Sequence, residues 1–293
     1  MKIYNGHHCN MECIVMEKDN LVLKVIPELG FKVSSLVYRE HEFLFQPSKM
    51  KYELPDFGDS FSSYDTSGLD EMIPTIDSCI YEGKQCLPDH GDVWTLPWNV
   101  MVNENSIEGS VSLRSLPLKF VKKISMGRNN TIRMDYSVKN VSDKEQSYLW
   151  ALHGLNNFDN DTEIMLPNGV NRVLDVINNE VIDKNIENLL YLRNYKDKQF
   201  YKFYLLDELS IGECGLYYKD KGLIYTIKFD KKVNPYLGVW ITKGGFKGEY
   251  NCALEPSNGF YDSLKLAKEN KKFQSIMPFE EKNWTVYIEI SET

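Results

Sequence analysis

The stretch SVSLRSLPLKFVKKISMGRNNTIRMDYSVK, residues 110–139, decides the fold. Three short runs of strand length, 110–116, 120–125 and 131–139, follow one another within it. Between the second and third stands Gly127-Arg128-Asn129-Asn130, whose glycine and asparagines tolerate positive φ and suit a tight reversal. A fourth run at 146–152 completes what reads as an antiparallel meander. Upstream, runs at 20–27 and 30–36 are broken by the turn signals Pro27 and Gly30. Downstream the same grammar returns: 214–218, the turn Lys219-Asp220-Lys221-Gly222, then 223–229 and finally 284–290. Helical signals are scarce, with 260–270 the best helix candidate and a short turn near 183–190. Many short strands with few short helices predict an all-β fold, a sandwich or a barrel.

Length and composition set further bounds. A crude rule of about 150 residues per domain would divide 293 residues in two, but large all-β folds routinely exceed it. No internal repeat, low-complexity block or Pro/Gly/Ser linker divides the chain, so residues 1–293 read as a single domain. Apolar residues at 42% and charged residues at 26% are ordinary for a soluble globular protein. The net charge of −8, with lysines scattered rather than massed, argues against a nucleic-acid partner. The opening Met1-Lys2-Ile3-Tyr4-Asn5-Gly6-His7-His8 lacks the apolar core of a secretion signal, and no run nears the ~18 apolar residues of a membrane span. The expected location is the cytoplasm, with no membrane partner. Cys9, Cys13, Cys79, Cys86, Cys214 and Cys252 form no Cys-x-x-Cys pair, which favours buried thiols over a disulfide or metal framework.

Three islands carry chemistry. Leu87-Pro88-Asp89-His90-Gly91-Asp92-Val93-Trp94 reads either as a turn with an exposed imidazole or as a loop presenting an aromatic platform, with Trp98 close behind. An amphipathic Trp ring such as Trp94 can cover the apolar C–H face of a sugar. Trp150-Ala151-Leu152-His153-Gly154 ends an apolar run: His153 is a satisfied core histidine or a site residue, with Gly154 letting the chain turn and a ligand approach. In Leu254-Glu255-Pro256, Glu255 is expected where a β segment ends. It is either salt-bridged to a lysine or partly buried with a raised pKa, and so a better base. One carboxylate and two imidazoles suit acid/base work on a neutral polar ligand, which points to sugar chemistry.

Further candidates surround them. In Gly68-Leu69-Asp70-Glu71-Met72-Ile73-Pro74, Asp70 or Glu71 could accept from hydroxyl groups, or Asp70 could simply cap a turn. Trp240 is core or part of a site beside the loop Lys243-Gly244-Gly245, and His7-His8 reads as an exposed pair. The chain holds no phosphate-binding Gly-x-x-x-x-Gly-Lys loop, no dinucleotide fingerprint, no Gly-x-Ser-x-Gly elbow, no His-x-His and no His-Glu-x-x-His. A metal would therefore have to assemble from dispersed ligands, and none is expected.

In their order and neighbours these islands resemble the aldose 1-epimerase (galactose mutarotase) family. The resemblance runs from Val25-Ile26-Pro27-Glu28-Leu29-Gly30 through Gly68-Leu69-Asp70-Glu71 to Leu254-Glu255-Pro256. It is most specific at Pro88-Asp89-His90-Gly91, His153-Gly154 and Glu255-Pro256. It implies a large antiparallel two-sheet β-sandwich and an isomerase that interconverts sugar anomers without a cofactor. It further implies Glu255 as the base on the anomeric hydroxyl, His153 as the acid on the ring oxygen, and His90 as an orienting imidazole. Family members carry a substrate-binding aspartate between the second histidine and the glutamate; Lys202 occupies a comparable strand here. The expected partner is a monosaccharide or small sugar derivative. Two rival readings stay open: a non-catalytic carbohydrate-binding protein, and a glycoside-cleaving enzyme pairing Asp70 or Glu71 with Glu255.

Overall fold

Period-two alternation builds the stretch of residues 110–139. In the computed structural model, which describes residues 1–64 and 66–293, the strand Thr131–Asn140 buries Ile132, Met134, Tyr136 and Val138 and turns Arg133 and Lys139 to solvent. Its partner Leu118–Met126 buries Leu118, Phe120, Lys122, Ile124 and Met126 in the same rhythm. The reversal between them places Asn129 and Asn130 at φ 55° and 52°, a conformation asparagine tolerates. These strands belong to an antiparallel sheet that is eight-stranded among the described residues and runs from Thr162–Met165 at one edge to Asn99–Asn103 at the other.

A second antiparallel sheet, twelve-stranded among the described residues, packs its inner face against the first. The hairpins of residues 2–38 form one side of it, and Leu69–Met72, Ala151–Asn156, Tyr250–Ser257, Tyr236–Lys243 and Gln199–Leu205 follow in that order across its centre. The fold is the two-sheet β-sandwich that the resemblance implied. No helix among the described residues is long and apolar enough to cross a membrane.

Several local expectations need correction. Residues 146–152 are not one strand: Gln146–Tyr148 pairs with Gln274–Ile276, and Ala151–Asn156 joins the large sheet. Between them Trp150 is held by its N–H donating to Asn258 Oδ1 at 2.7 Å, which redirects the chain. The helix expected at 260–270 shrinks to Leu264–Glu269, because Ser263 caps it by accepting from the Leu266 N–H at 3.2 Å. Cys13, Cys214 and Cys252 are buried, whereas Cys86 is exposed. His8 is buried, not exposed.

An ionic cluster lies inside the core. Lys122 Nζ lies 2.7 Å from Glu71 Oε1, and both side chains are 1% exposed. Tyr136 Oη and Trp150 Nε1 each donate to the same carboxylate at 2.9 Å. Glu71 therefore ties the large sheet to the small one from inside the sandwich. Truncating one partner of such a pair leaves an uncompensated buried charge. Glu71→Ala should lower unfolding stability by about 3–5 kcal/mol in urea denaturation, whereas Glu71→Met combined with Lys122→Met should lose much less.

Candidate functional site

Because side chains alternate along a strand, directly opposed residues share a face. Lys202 opposes Trp240, Trp240 opposes Ala253, and Ala253 opposes Leu155. Counting in twos from that row brings Glu255 and His153 to the same side of the large sheet, away from the sandwich core. Neither sits at a strand end: Glu255 lies inside Tyr250–Ser257 and His153 inside Ala151–Asn156. Gly154 does not turn the chain; a Cβ there would stand 3.3 Å from the Leu69 side chain, so its role is close packing. Gly238, opposite Glu255, leaves room for the carboxylate, since a Cβ at 238 would lie 3.2 Å from Glu255 Oε2.

Loops roof this face. His90 takes φ 57° and Gly91 φ 73°, and a Cβ on residue 91 would fall 2.1 Å from the Ile73 carbonyl oxygen. Only glycine fits there, and the tight approach turns His90 inward. The loop is anchored by buried Asp92, which accepts from the N–H groups of Arg114 and Ser115 at 2.6 and 2.7 Å and from the Ser115 hydroxyl at 2.7 Å. His90 stacks on Phe61 with ring centroids 4.1 Å apart, and meets His153 edge-on at 5.1 Å. Asp89 Oδ1 lies 2.7 Å from His90 Nδ1. An ionised carboxylate only accepts, so Nδ1 carries the proton and Nε2 remains for a ligand.

Strands and loops enclose a cavity of about 200 Å³ lined by Glu255, His153, His90 and Lys202. Phe61, Trp240 and Phe246 give it aromatic walls. Burial raises the Glu255 carboxyl above its ordinary range; Lys202 opposes this, while Asp262 adds to it. Burial likewise pushes the His153 imidazole well below 6.5, with the neighbours His90, Lys32 and Lys202 adding to the shift. His153 thus rests neutral, and its Nδ1 has no hydrogen-bond partner among the described residues. Burial alone would raise Asp89, but hydrogen bonds from His90, Phe61 and Ser60 outweigh it and keep the carboxyl low. Lys202 stays charged despite burial because Asp262, which it contacts directly, Glu255 and Asp77 hold its proton.

The residues singled out from sequence thus divide. Glu255, His153, His90, Lys202 and Trp240 meet on the cavity wall. Glu71 does not: one position away from Asp70, it points into the core, since a shift of one residue changes the face. Asp70 lies beside His153 across the paired strands but is engaged by Lys32, off the cavity wall. Trp94 is buried behind Phe61 and donates Nε1–H to the Asp89 carbonyl at 2.9 Å, so it supports the loop rather than offering a platform. Trp98 stacks on Phe31 in the core. Sequence reasoning missed Phe61, Phe246, Asp77, Glu249 and Asn251 on the wall. Of these, only Asn251 and Glu249 carried a signal, by lying four and six residues before Glu255 on its own face or in the adjoining loop. Among the described residues no group of three or more His, Cys, Asp or Glu is placed to hold a metal ion.

No protein-family model matches the chain, and no curated protein matches it in sequence. Solved structures match in fold. The Slr1438 protein from Synechocystis sp. PCC 6803 superposes with a TM-score of 0.79 at 16% identity, over 99% of this chain and 100% of that one. A galactose mutarotase-like protein from Clostridium acetobutylicum gives 0.74 at 15% identity, covering 100% and 99% of the two chains. Another, from Lactobacillus casei ATCC 334, gives 0.69 at 14% identity, covering 95% and 100%. The chain has the galactose mutarotase-like fold.

The neutral state of His153 is directly measurable. Below about pH 6.5 an unfolded histidine binds a proton. The folded His153 does not, so its contribution to stability is lost as pH falls from 6.5 towards its own lower pKa. In a proton NMR titration, the ring signal absent from His153→Gln should stay unshifted between about pH 8 and pH 6, where an ordinary histidine moves.

Proposed function

We propose that the protein interconverts the α and β anomers of an aldose by acid/base ring opening. The observation that carries this reading is one cavity walled by two imidazoles and by a buried carboxylate that has no hydrogen bond among the described residues. Ring opening needs a proton removed from the anomeric hydroxyl while another is delivered to the ring oxygen. Positioned groups accelerate each transfer about 10² to 10⁴-fold. Glu255 takes the hydroxyl proton as the C1–O5 bond breaks and C1 becomes a carbonyl. The open chain rotates about one bond, and reversal of both transfers closes the ring with C1 inverted. No cofactor enters the scheme.

The two imidazoles divide the acid's work differently from what the resemblance implies. A neutral imidazole is a poor proton donor, and His153 rests neutral among cations. His90 in its imidazolium form donates through Nε2, with Asp89 on Nδ1 fixing the ring and balancing the charge. His153 then serves as a hydrogen-bonding partner for a sugar oxygen. Trp240 and Phe61 cover apolar ring faces, and Lys202 addresses hydroxyl oxygens. The glycoside-cleaving alternative loses both of its suggested partners for Glu255, since Glu71 faces the core and Asp70 is engaged by Lys32.

Polarimetry and NMR exchange over a panel of aldoses test this. Wild type should equilibrate at least one aldose faster than buffer, and Glu255→Gln should lose about 10² or more of that rate. Binding of sugars by calorimetry with no acceleration for any of them would leave a carbohydrate-binding protein instead. The acid limb of kcat/KM should lie above an ordinary carboxylate's, because the base form of Glu255 appears only above its raised pKa. Asp89→Asn should shift the pH profile and lower kcat more than it raises KM, an outcome that simple loss of packing would not give.

A further inference from the structure

We propose that this cavity selects its sugar by charge, accepting aldoses whose exocyclic groups are hydroxyl or ammonium, favouring ammonium through Asp77, and refusing phosphate- or carboxylate-bearing sugars. The inference rests on the anomer-interconversion reading and names the substrate class of that same site.

The charged groups on the wall can be paired off. Asp89 is matched by His90 at 2.7 Å. Glu249 accepts from the Thr66 hydroxyl at 2.7 Å and the Asn251 amide at 3.3 Å, with Lys247 Nζ 4.0 Å away. Lys202 is committed to Asp262, which also accepts from the Tyr204 hydroxyl at 2.8 Å. Two carboxylates remain. Neither Glu255 nor Asp77 has a side-chain hydrogen bond or ion pair among the described residues.

Glu255 is 4% exposed, and that small opening is into the cavity. A buried acceptor left without donors is costly, so the cavity calls for a ligand that brings donors. An anionic group would bring acceptors alone. It would need a guanidinium fork, a free ammonium, or an imidazolium not already balanced by a carboxylate as His90 is by Asp89. No arginine lines the cavity among the described residues, and Lys202, which does, keeps donors for hydroxyls but has its charge balanced by Asp262.

Asp77 supplies the preference for positive charge. Its backbone N–H donates to the Asp262 carbonyl at 2.5 Å, and the preceding Ile76 carbonyl accepts from the His90 N–H at 2.6 Å. Its carboxylate therefore stands at the exposed rim between the proton-delivering loop and the Lys202–Asp262 pair. Its field reaches both Lys202 and Glu255. At an exposed rim such an attraction is worth about fivefold in affinity at most.

The test uses matched sugars of both gluco and galacto configuration: the parent aldose, the 2-amino sugar, its N-acetyl form, the 6-phosphate and the uronate. Anomer exchange by NMR gives kcat/KM, and calorimetry on the same wild-type protein gives Kd. In at least one configuration the amino sugar should match or exceed the parent, with the phosphate and uronate at least about tenfold worse than the parent. The neutral N-acetyl form separates charge from bulk. Asp77→Asn should cut the amino-to-parent ratio by up to about fivefold, a ratio insensitive to the fraction of folded protein. Handling of phosphate or uronate as well as the parent sugar, or an amino-to-parent ratio unmoved by Asp77→Asn, overturns the inference while leaving anomer interconversion standing. If no sugar of either series binds or is turned over, both readings fall together.

Discussion

Alternation along the strands of one sheet is the constraint on which the molecule depends. Asp70 and Glu71 are neighbours in the chain, yet the pleat sends Glu71 into the sandwich to meet Lys122 and leaves Asp70 beside His153 on the outside. The same rule lets Leu254 and Leu152 fill the core while Glu255 and His153 face the cavity. Fold and site are two faces of a single set of strands, so neither can change register without destroying the other.

The charges behave accordingly. Burial removes water from Glu255, His153 and Asp77, and few partners replace it. Glu255 is pushed towards neutrality against the pull of Lys202, with no donor bonded to it among the described residues, and His153 is kept from protonating first by burial and then by its neighbours His90, Lys32 and Lys202. Asp89 escapes the same fate only through three hydrogen-bond donors. Perturbed carboxylates and imidazoles gathered in one cleft are the groups that the proposed proton transfers would use.

Much of this was legible in the sequence, for particular reasons. The strand runs of 110–139 and the Gly127-Asn130 reversal are local features, and local features survive folding. His90, His153 and Glu255 stood out because glycine and proline flank them, and those neighbours serve as backbone fit at Gly91 and close packing at Gly154. What stayed hidden depends on contacts between distant segments. Nothing near Phe61 in the chain says that it will stack under His90, and nothing near Trp94 says that Phe61 will cover it. The break at Leu149-Trp150 was likewise invisible, because the hydrogen bond that makes it comes from Asn258, over a hundred residues away.

The anchoring of Asp92 has a wider meaning. Its carboxylate grips the backbone at Arg114 and Ser115, in the turn that joins two strands of the opposite sheet, so the loop carrying His90 is fastened to the layer that holds no other part of the site. The placement of His90 is in this way tied to the integrity of the entire sandwich. Were the two layers to slide apart, His90 would lose its place over the cavity while the strands carrying Glu255 and His153 still stood paired.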